Sequence, residues 1–255
     1  MSPSSRPLVF GDDAAAYDRA RPDYPGPAID HLLGLVETKR VVEVGAGTGK
    51  ATVAVARPGL ELICIEPSGP MADILEGKDL PGVLVARSGF EEWEPDPGWA
   101  DLLFAAQAWH WVDETTAYDK VRSALRPDGA LALLWNLPQH RYDEFADVYR
   151  RHAPQILEER DERIRRRDHH DWLVDMGAAG FADLDRHSWQ WTVEMTASEY
   201  RELYSTYSDH MLLPDTVRHA LLDDLEAAVA ERGGTVVQEY TTDVFSGRNR
   251  VTARR

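Results

Sequence analysis

The chain has 255 residues and a mass of 28.7 kDa, with 28 Lys and Arg against 44 Asp and Glu, a formal charge of −16. So acidic a surface repels phosphate backbones, because nucleic-acid affinity rests on cations neutralising phosphates, and no nucleic-acid partner is expected. No run approaches the roughly 18 apolar residues of a membrane span, and the start, "MSPSSRPLVFGDD", has no long apolar core. A cytoplasmic protein folded as one domain over 1–255, with no membrane partner, is the expectation.

In chain order, helices are expected over 13–20 and 27–36, the second with proline in its first turn. Strands over 40–44, 61–65, 83–86, 101–105 and 130–134 then alternate with helices over 50–56, 68–76 and 114–125. The runs "VVEV", "LICI" and "LALL" are apolar at nearly every position, as in strands covered on both faces. Pro58-Gly59, Pro81-Gly82 and Pro127-Asp128-Gly129 mark the turns between elements. Such alternation specifies an α/β fold with a doubly wound, mostly parallel sheet.

After residue 134 the pattern turns helical and polar, with helices over 142–153, 171–178, 198–205 and 214–232. Strand alternation returns in "HSWQWTVEM" and in a final "TVVQEYTTDVFSG". The arginines at 163–167 read as a solvated helix face. His169-His170 has no partners at the spacing of a zinc motif, so no metal is expected. Cys64, the one cysteine, sits inside an apolar strand and reads as a packed residue of a reducing compartment.

The chemistry concentrates in "VVEVGAGTGK", where a strand ends in glycines at 45, 47 and 49 ahead of a helix. Glycine there permits positive φ and lets a ligand lie against bare backbone. A dinucleotide site would read G-x-G-x-x-G, and this order, G-x-G-x-G, differs from it. Glu66 ends the second strand, where a carboxylate can accept both hydroxyls of a ribose. A ribose-bearing ligand other than NAD is the reading these residues favour.

With "ICIEPSGPM", "VLVARSGFEEW", "ADLLFAAQAWHWVD" and "VRSALRPDGALALLWN" following in order, residues 10–136 resemble the class I S-adenosylmethionine-dependent methyltransferases. "AQAWHW" and "YDRARPDYP" are similar to the small-molecule branch that includes trans-aconitate-type enzymes. The resemblance implies a seven-stranded Rossmann-like sheet, a helical lid over 137–230 together with the N-terminal helices, and a final strand over 235–248. It also implies S-adenosylmethionine as cofactor and a small-molecule substrate, with a carboxyl oxygen the acceptor it points to first.

By position, the resemblance has Glu43 orienting the loop near the methionine amino group, and Gly45 and Gly47 exposing main chain to the methionine portion. Glu66 would hold the ribose, Pro67 and Met71 would flank the adenine, and Gly89 and Phe90 would meet its edge. Gly89 stands where many relatives place Asp or Asn, which shifts the adenine contact to the Phe90 backbone or Glu91. Ala106 and Gln107 would line the cofactor, while Tyr17 and Arg21 would reach its carboxylate, as an arginine fork suits. His110 is either a catalytic base or a packing residue, and Trp109, Trp111 and Trp135 would form an aromatic rim for the substrate, with Asn136 beside them. "AAQAWHW" departs from the [D/N/S]-P-P-[Y/F/W] stretch of nucleic-acid amino-methyltransferases. A cofactor-binding protein with a non-methylating role, such as ring closure or partner binding, is the alternative.

Overall fold

The computed structural model describes residues 14–139, 143–158 and 171–250. The arginine cluster at 163–167, His169-His170 and the first residue of the helix expected from 142 lie outside that set. Seven strands form one sheet: β1 Arg40–Val44, β2 Glu61–Ile65, β3 Val83–Ala86, β4 Ala100–Ala106, β5 Leu125–Pro138, β6 Ala182–Thr196 and β7 Thr235–Arg248. Their order is β3-β2-β1-β4-β5-β7-β6. The first five strands run parallel, and β7 lies antiparallel between β5 and β6. This is the doubly wound, mostly parallel sheet that the strand–helix alternation specifies.

Burial on both faces explains the unbroken apolar runs. Along β1, β4 and β5, alternate residues feed opposite cores. Val42, Val44, Leu103, Leu131 and Leu133 join one with Trp109 and Val121. Val41, Leu102, Phe104, Ala132 and Leu134 join the other with Ile29 and Leu32 of helix α2 (Gly26–Gly34). Each such buried aliphatic contributes about 1.5–3 kcal/mol. Cys64 belongs to the second core, and burial first, then the adjacent Glu43, pushes its thiol pKa far above the usual range. It is a packed thiol.

Helix α1 (Ala14–Ala20) precedes α2; α3 (Lys50–Val55), α4 (Gly69–Gly77) and α5 (Glu114–Ala124) occupy the crossovers. Beyond β5 come α6 (Ala146–His152), α7 (Trp172–Ala178), α8 (Ala197–Ser205), α9 (Ser208–Met211) and α10 (Asp215–Glu231). Phe145, Tyr149, Tyr200, Tyr204, Leu222 and Leu225 build a third core among these helices. Thr196 opens α8 with a capping box, its hydroxyl accepting from the Glu199 amide while the Glu199 carboxylate accepts from Thr196.

Beyond one residue at each end of β4, two strands exceed their expected lengths. β5 starts at Leu125 and runs through Pro127-Asp128-Gly129, because those residues form a bulge: Ala100 pairs with Leu125, and the register resumes at Leu102 with Ala130. Asp128 takes up the excess chain at φ +62°. β6 extends back to Ala182 because β7 holds it by backbone pairing, which needs no apolar alternation.

Candidate functional site

The first turn after β1 carries three positive-φ glycines, Gly45 at +67°, Gly47 at +59° and Gly49 at +87°. The amides of Gly45 and Ala46 both donate to the Ile65 carbonyl, at 2.9 and 3.1 Å, so the turn is pinned to the end of β2. The three glycines differ in what they face. A Cβ on Gly45 would lie 2.4 Å from the Ala108 methyl, and one on Gly49 would lie 2.4 Å from Leu75 Cδ1. Close packing on the side a Cβ would occupy therefore requires glycine at both. Gly47 is the open one, with Met71 Sδ its nearest neighbour at 3.7 Å.

Glu66 leaves β2 and turns its carboxylate onto this loop. Its Oε2 accepts the Gly47 amide at 2.7 Å and its Oε1 accepts the Ser68 amide at 2.8 Å. Burial raises its pKa against the opposing effect of those two bonds. Pro67 is exposed beside it, and Met71 is buried in the first turn of α4. Glu43 points beneath the loop: Thr52 Oγ1 donates to it at 2.6 Å and the Cys64 thiol at 3.7 Å. Burial pushes its pKa up to about 8. Through its bond to Thr52, Glu43 braces β1 against α3.

At the end of β4, Ala106 is half-buried and Gln107 takes φ +60°, a conformation non-glycine residues rarely adopt outside sites that hold strain. Its amide donates to the Leu134 carbonyl and its side chain to the Asn136 carbonyl at 2.6 Å, so the strain is held by β5. Asn136 is buried, accepting from Thr242 at 2.6 Å and donating to the Asp23 carbonyl at 3.2 Å.

The strained residue leads into a short 3-10 turn, Trp109–Trp111. Its residues part company. Trp109 is wholly buried between Phe90 and Tyr118 and donates to the Tyr118 hydroxyl at 3.3 Å, so it belongs to the core and not to the expected rim. His110 faces outward with its ring crowded by Trp111 and Trp135, at centroid distances of 4.4 and 5.3 Å. The residue still meets solvent, but loss of water around the ring lowers its pKa. Trp135 stacks on Trp172 of α7 at 5.4 Å, and its Nε1 is buried with no hydrogen-bond partner among the described residues.

Gly89 is half-buried and Phe90 packs its ring into the core, on Trp93 and Trp109. Lys120 ties this loop down by donating to the carbonyls of Phe90, Glu91 and Trp93 at 3.0, 2.7 and 2.8 Å. Glu91 Oε1 accepts the Asp113 amide at 2.9 Å, while its Oε2 would lie 3.3 Å from a Cβ on Gly89. On the far side of the loop, Arg21 stacks over Tyr17 and Tyr207 at 5.0 and 4.1 Å. Its Nε and Nη2 donate to Thr206 Oγ1 and the Thr206 carbonyl, at 2.9 and 2.8 Å. Arg21 thus grips α8 where a free carboxylate fork was expected.

These groups sit at the carboxyl ends of the parallel strands β1, β2 and β4, where sheets of this topology bind ligands, with the Glu66 carboxylate on the Gly47 amide. Residues 41–129 match a family model described as "Methyltransferase domain". An uncharacterized methyltransferase of Mycobacterium tuberculosis is 33% identical over 223 residues, covering 88% of this chain and 86% of that protein. The chain belongs to the class I S-adenosylmethionine-dependent methyltransferases.

An uncharacterized methyltransferase-like protein of Schizosaccharomyces pombe is 27% identical to this methyltransferase and covers 93% of it, with 94% of its own length matched. Among solved structures, a candidate type II methyltransferase from Anaeromyxobacter dehalogenans aligns with TM-score 0.64 at 19% identity, covering 91% of this chain and 99% of that one. Phosphoethanolamine N-methyltransferase 2 of Haemonchus contortus, solved with phosphomonomethylethanolamine and S-adenosylhomocysteine, aligns with TM-score 0.53 at 16% identity, over 94% and 58% of the two chains. The methyltransferase is an enzyme that uses S-adenosylmethionine, and the non-methylating alternative is not favoured. The sequence did not point to Trp172, Thr206 or Lys120, which contact Trp135, Arg21 and the Phe90 loop from elements remote in the chain and carry no local motif.

Proposed function

We propose that this methyltransferase methylates a carboxylate oxygen of a small organic acid, with the cofactor seated across the face between Gly47 and Glu66. The observation that carries this seat is the Glu66 carboxylate. Of its roughly four lone-pair positions, two are taken by the Gly47 and Ser68 amides. The remainder suits the vicinal hydroxyls of a ribose. In this reading Pro67 and Met71 flank the adenine, Gly89 leaves room at its edge, and Ala106 and Gln107 line the cleft. Tyr17 and Arg21 close the methionine end, and the segment 137–230 is the lid. The Arg21 bonds to Thr206 support that role, because they join α1 to α8 across the cleft mouth.

S-adenosylmethionine, when bound, supplies an electrophilic methyl group on a sulfonium. The chain's own contribution is alignment, worth roughly 7–11 kcal/mol for well-oriented groups. A carboxylate is already a nucleophile and needs no base, which fits an imidazole at His110 whose proton affinity is lowered. The buried Nε1–H of Trp135 donates to the acceptor's second oxygen, and Trp111 and Trp172 complete the wall. An ammonium acceptor would first have to lose a proton and would call for an acceptor group where Trp135 presents a donor. The resemblance to trans-aconitate-type enzymes points the same way.

The test is release of S-adenosylhomocysteine over a panel of small di- and tricarboxylic acids and, in parallel, primary amines. Acid-dependent release with formation of a base-labile ester is the expected result. Turnover confined to the amines would overturn the carboxylate assignment.

A further inference from the structure

Away from the cleft, three side chains of metal-ligating type converge on the α2 face of the sheet edge. His31 lies in the last turn of α2, and Asp185 and His187 project from β6 two residues apart, hence on one face of that strand. The two imidazoles approach to 4.3 Å between centroids. Nδ1 of His187 stands 2.8 Å from Oδ2 of Asp185. The ligand atoms of all three residues lie within 4.8 Å of one another. Trp189 walls the group, 5.3 Å from the His31 ring and 5.8 Å from that of His187. Nε2 of His31 is shut off from water with no hydrogen-bond partner among the described residues. An unpaired buried polar atom is unfavourable and asks for a partner.

We propose that His31, Asp185 and His187 form a binding site for a divalent first-row transition-metal ion of the zinc class, clipping α2 to the edge strand. Two imidazoles and a carboxylate are a donor set that such ions take, whereas magnesium and calcium take oxygen donors. Donors 2.8 Å apart, each bonded at about 2.0–2.1 Å, subtend close to a right angle at a shared ion. Asp185 and His187 are exposed, so they can rotate to widen that angle, and the remaining coordination positions open to water. An ion there gives the unpaired His31 nitrogen a partner. It also fastens β6, which among the described residues pairs with β7 alone, to helix α2. Crosslinks between segments so distant in sequence gain the most from closing a long loop. Local spacing rules do not find this site, because its ligands come from opposite ends of the chain.

Titration of the chelator-treated, tag-free full chain with zinc chloride, followed by calorimetry and thermal melting, tests the proposal. Saturable binding of one ion per chain is expected, with a rise of about 5–10 °C in melting temperature at 100 times the Kd and no response to magnesium chloride. His31→Ala and His187→Gln should each weaken zinc binding at least 10-fold while leaving the melting shift induced by S-adenosylhomocysteine intact. His187→Gln sits on an exposed strand face, so it serves should His31→Ala fail to fold. Absence of saturable binding, or unchanged affinity in His187→Gln, would overturn the site.

Discussion

The Gly47 amide and the Glu66 carboxylate face each other across 2.7 Å, joining the turn after β1 to the end of β2. Glu66 is therefore oriented before any ligand arrives. Replacing it by Ala should weaken S-adenosylhomocysteine binding by about 1–3 kcal/mol, roughly 5- to 150-fold, from lost hydrogen bonds to a charged acceptor. Calorimetric titration reads this directly, and an unchanged Kd would place the ribose elsewhere.

The glycines of the turn should separate in a stability measurement. Gly45→Ala puts a methyl 2.4 Å from Ala108 at φ +67°, adding overpacking to left-handed strain, for about 2–5 kcal/mol. Gly47→Ala meets nothing nearer than 3.7 Å and costs about 1–2 kcal/mol from conformation alone. Denaturant midpoints should rank Gly45→Ala well below Gly47→Ala. Equal losses would mean that backbone strain alone decides both positions.

His110 should not titrate as a free imidazole. Its folded pKa lies below 6.5, so it is neutral through the physiological range. A depressed folded value means the unfolded chain binds the proton first, so this contribution to stability is present above pH 6.5 and falls as pH drops below it. The profile of kcat/KM should show no inflection near 6.5, and His110→Ala should flatten the corresponding fall in melting temperature. An NMR titration of the ring with a midpoint near 6.5 would show the indoles do not exclude water from it.

Trp135→Phe keeps the aromatic stack on Trp172 and deletes the unpaired donor. KM for the acid acceptor should rise about 5- to 10-fold, as for one lost hydrogen bond, with cofactor affinity unchanged. A rise in the cofactor Kd instead would move Trp135 to the other side of the cleft.

Asp101 holds the lower end of the sheet, accepting the amides of Lys39 and Arg40, both at 2.9 Å, and Arg126 Nε at 2.6 Å. Burial by itself would raise its pKa, and these donors bring it below the ordinary carboxylate value. That stability is complete above about pH 4 and is lost as pH falls through the depressed folded value. Asp101→Asn should lower stability at pH 7 by about 1–3 kcal/mol and make the acid limb shallower. A parallel acid limb would show that other carboxylates govern acid unfolding.

Read alone, the chain already determined the mostly parallel sheet, the helices between its strands and the pairing of a glycine turn with Glu66. Those features are local: unbroken apolar runs such as "LALL" follow from burial on two faces, and a positive-φ turn requires glycine in place. Trp109 and Trp111 shared one expected role and His110, between them, was left as base or packing residue, yet Trp109 fills the core and His110 meets solvent. A three-residue turn sends neighbours in divergent directions, and only packing decides which of them is covered. The stack of Trp135 on Trp172, the grip of Arg21 on Thr206 and the meeting of His31 with His187 likewise belong to the tertiary structure, because each contact joins segments whose proximity no periodicity or spacing encodes.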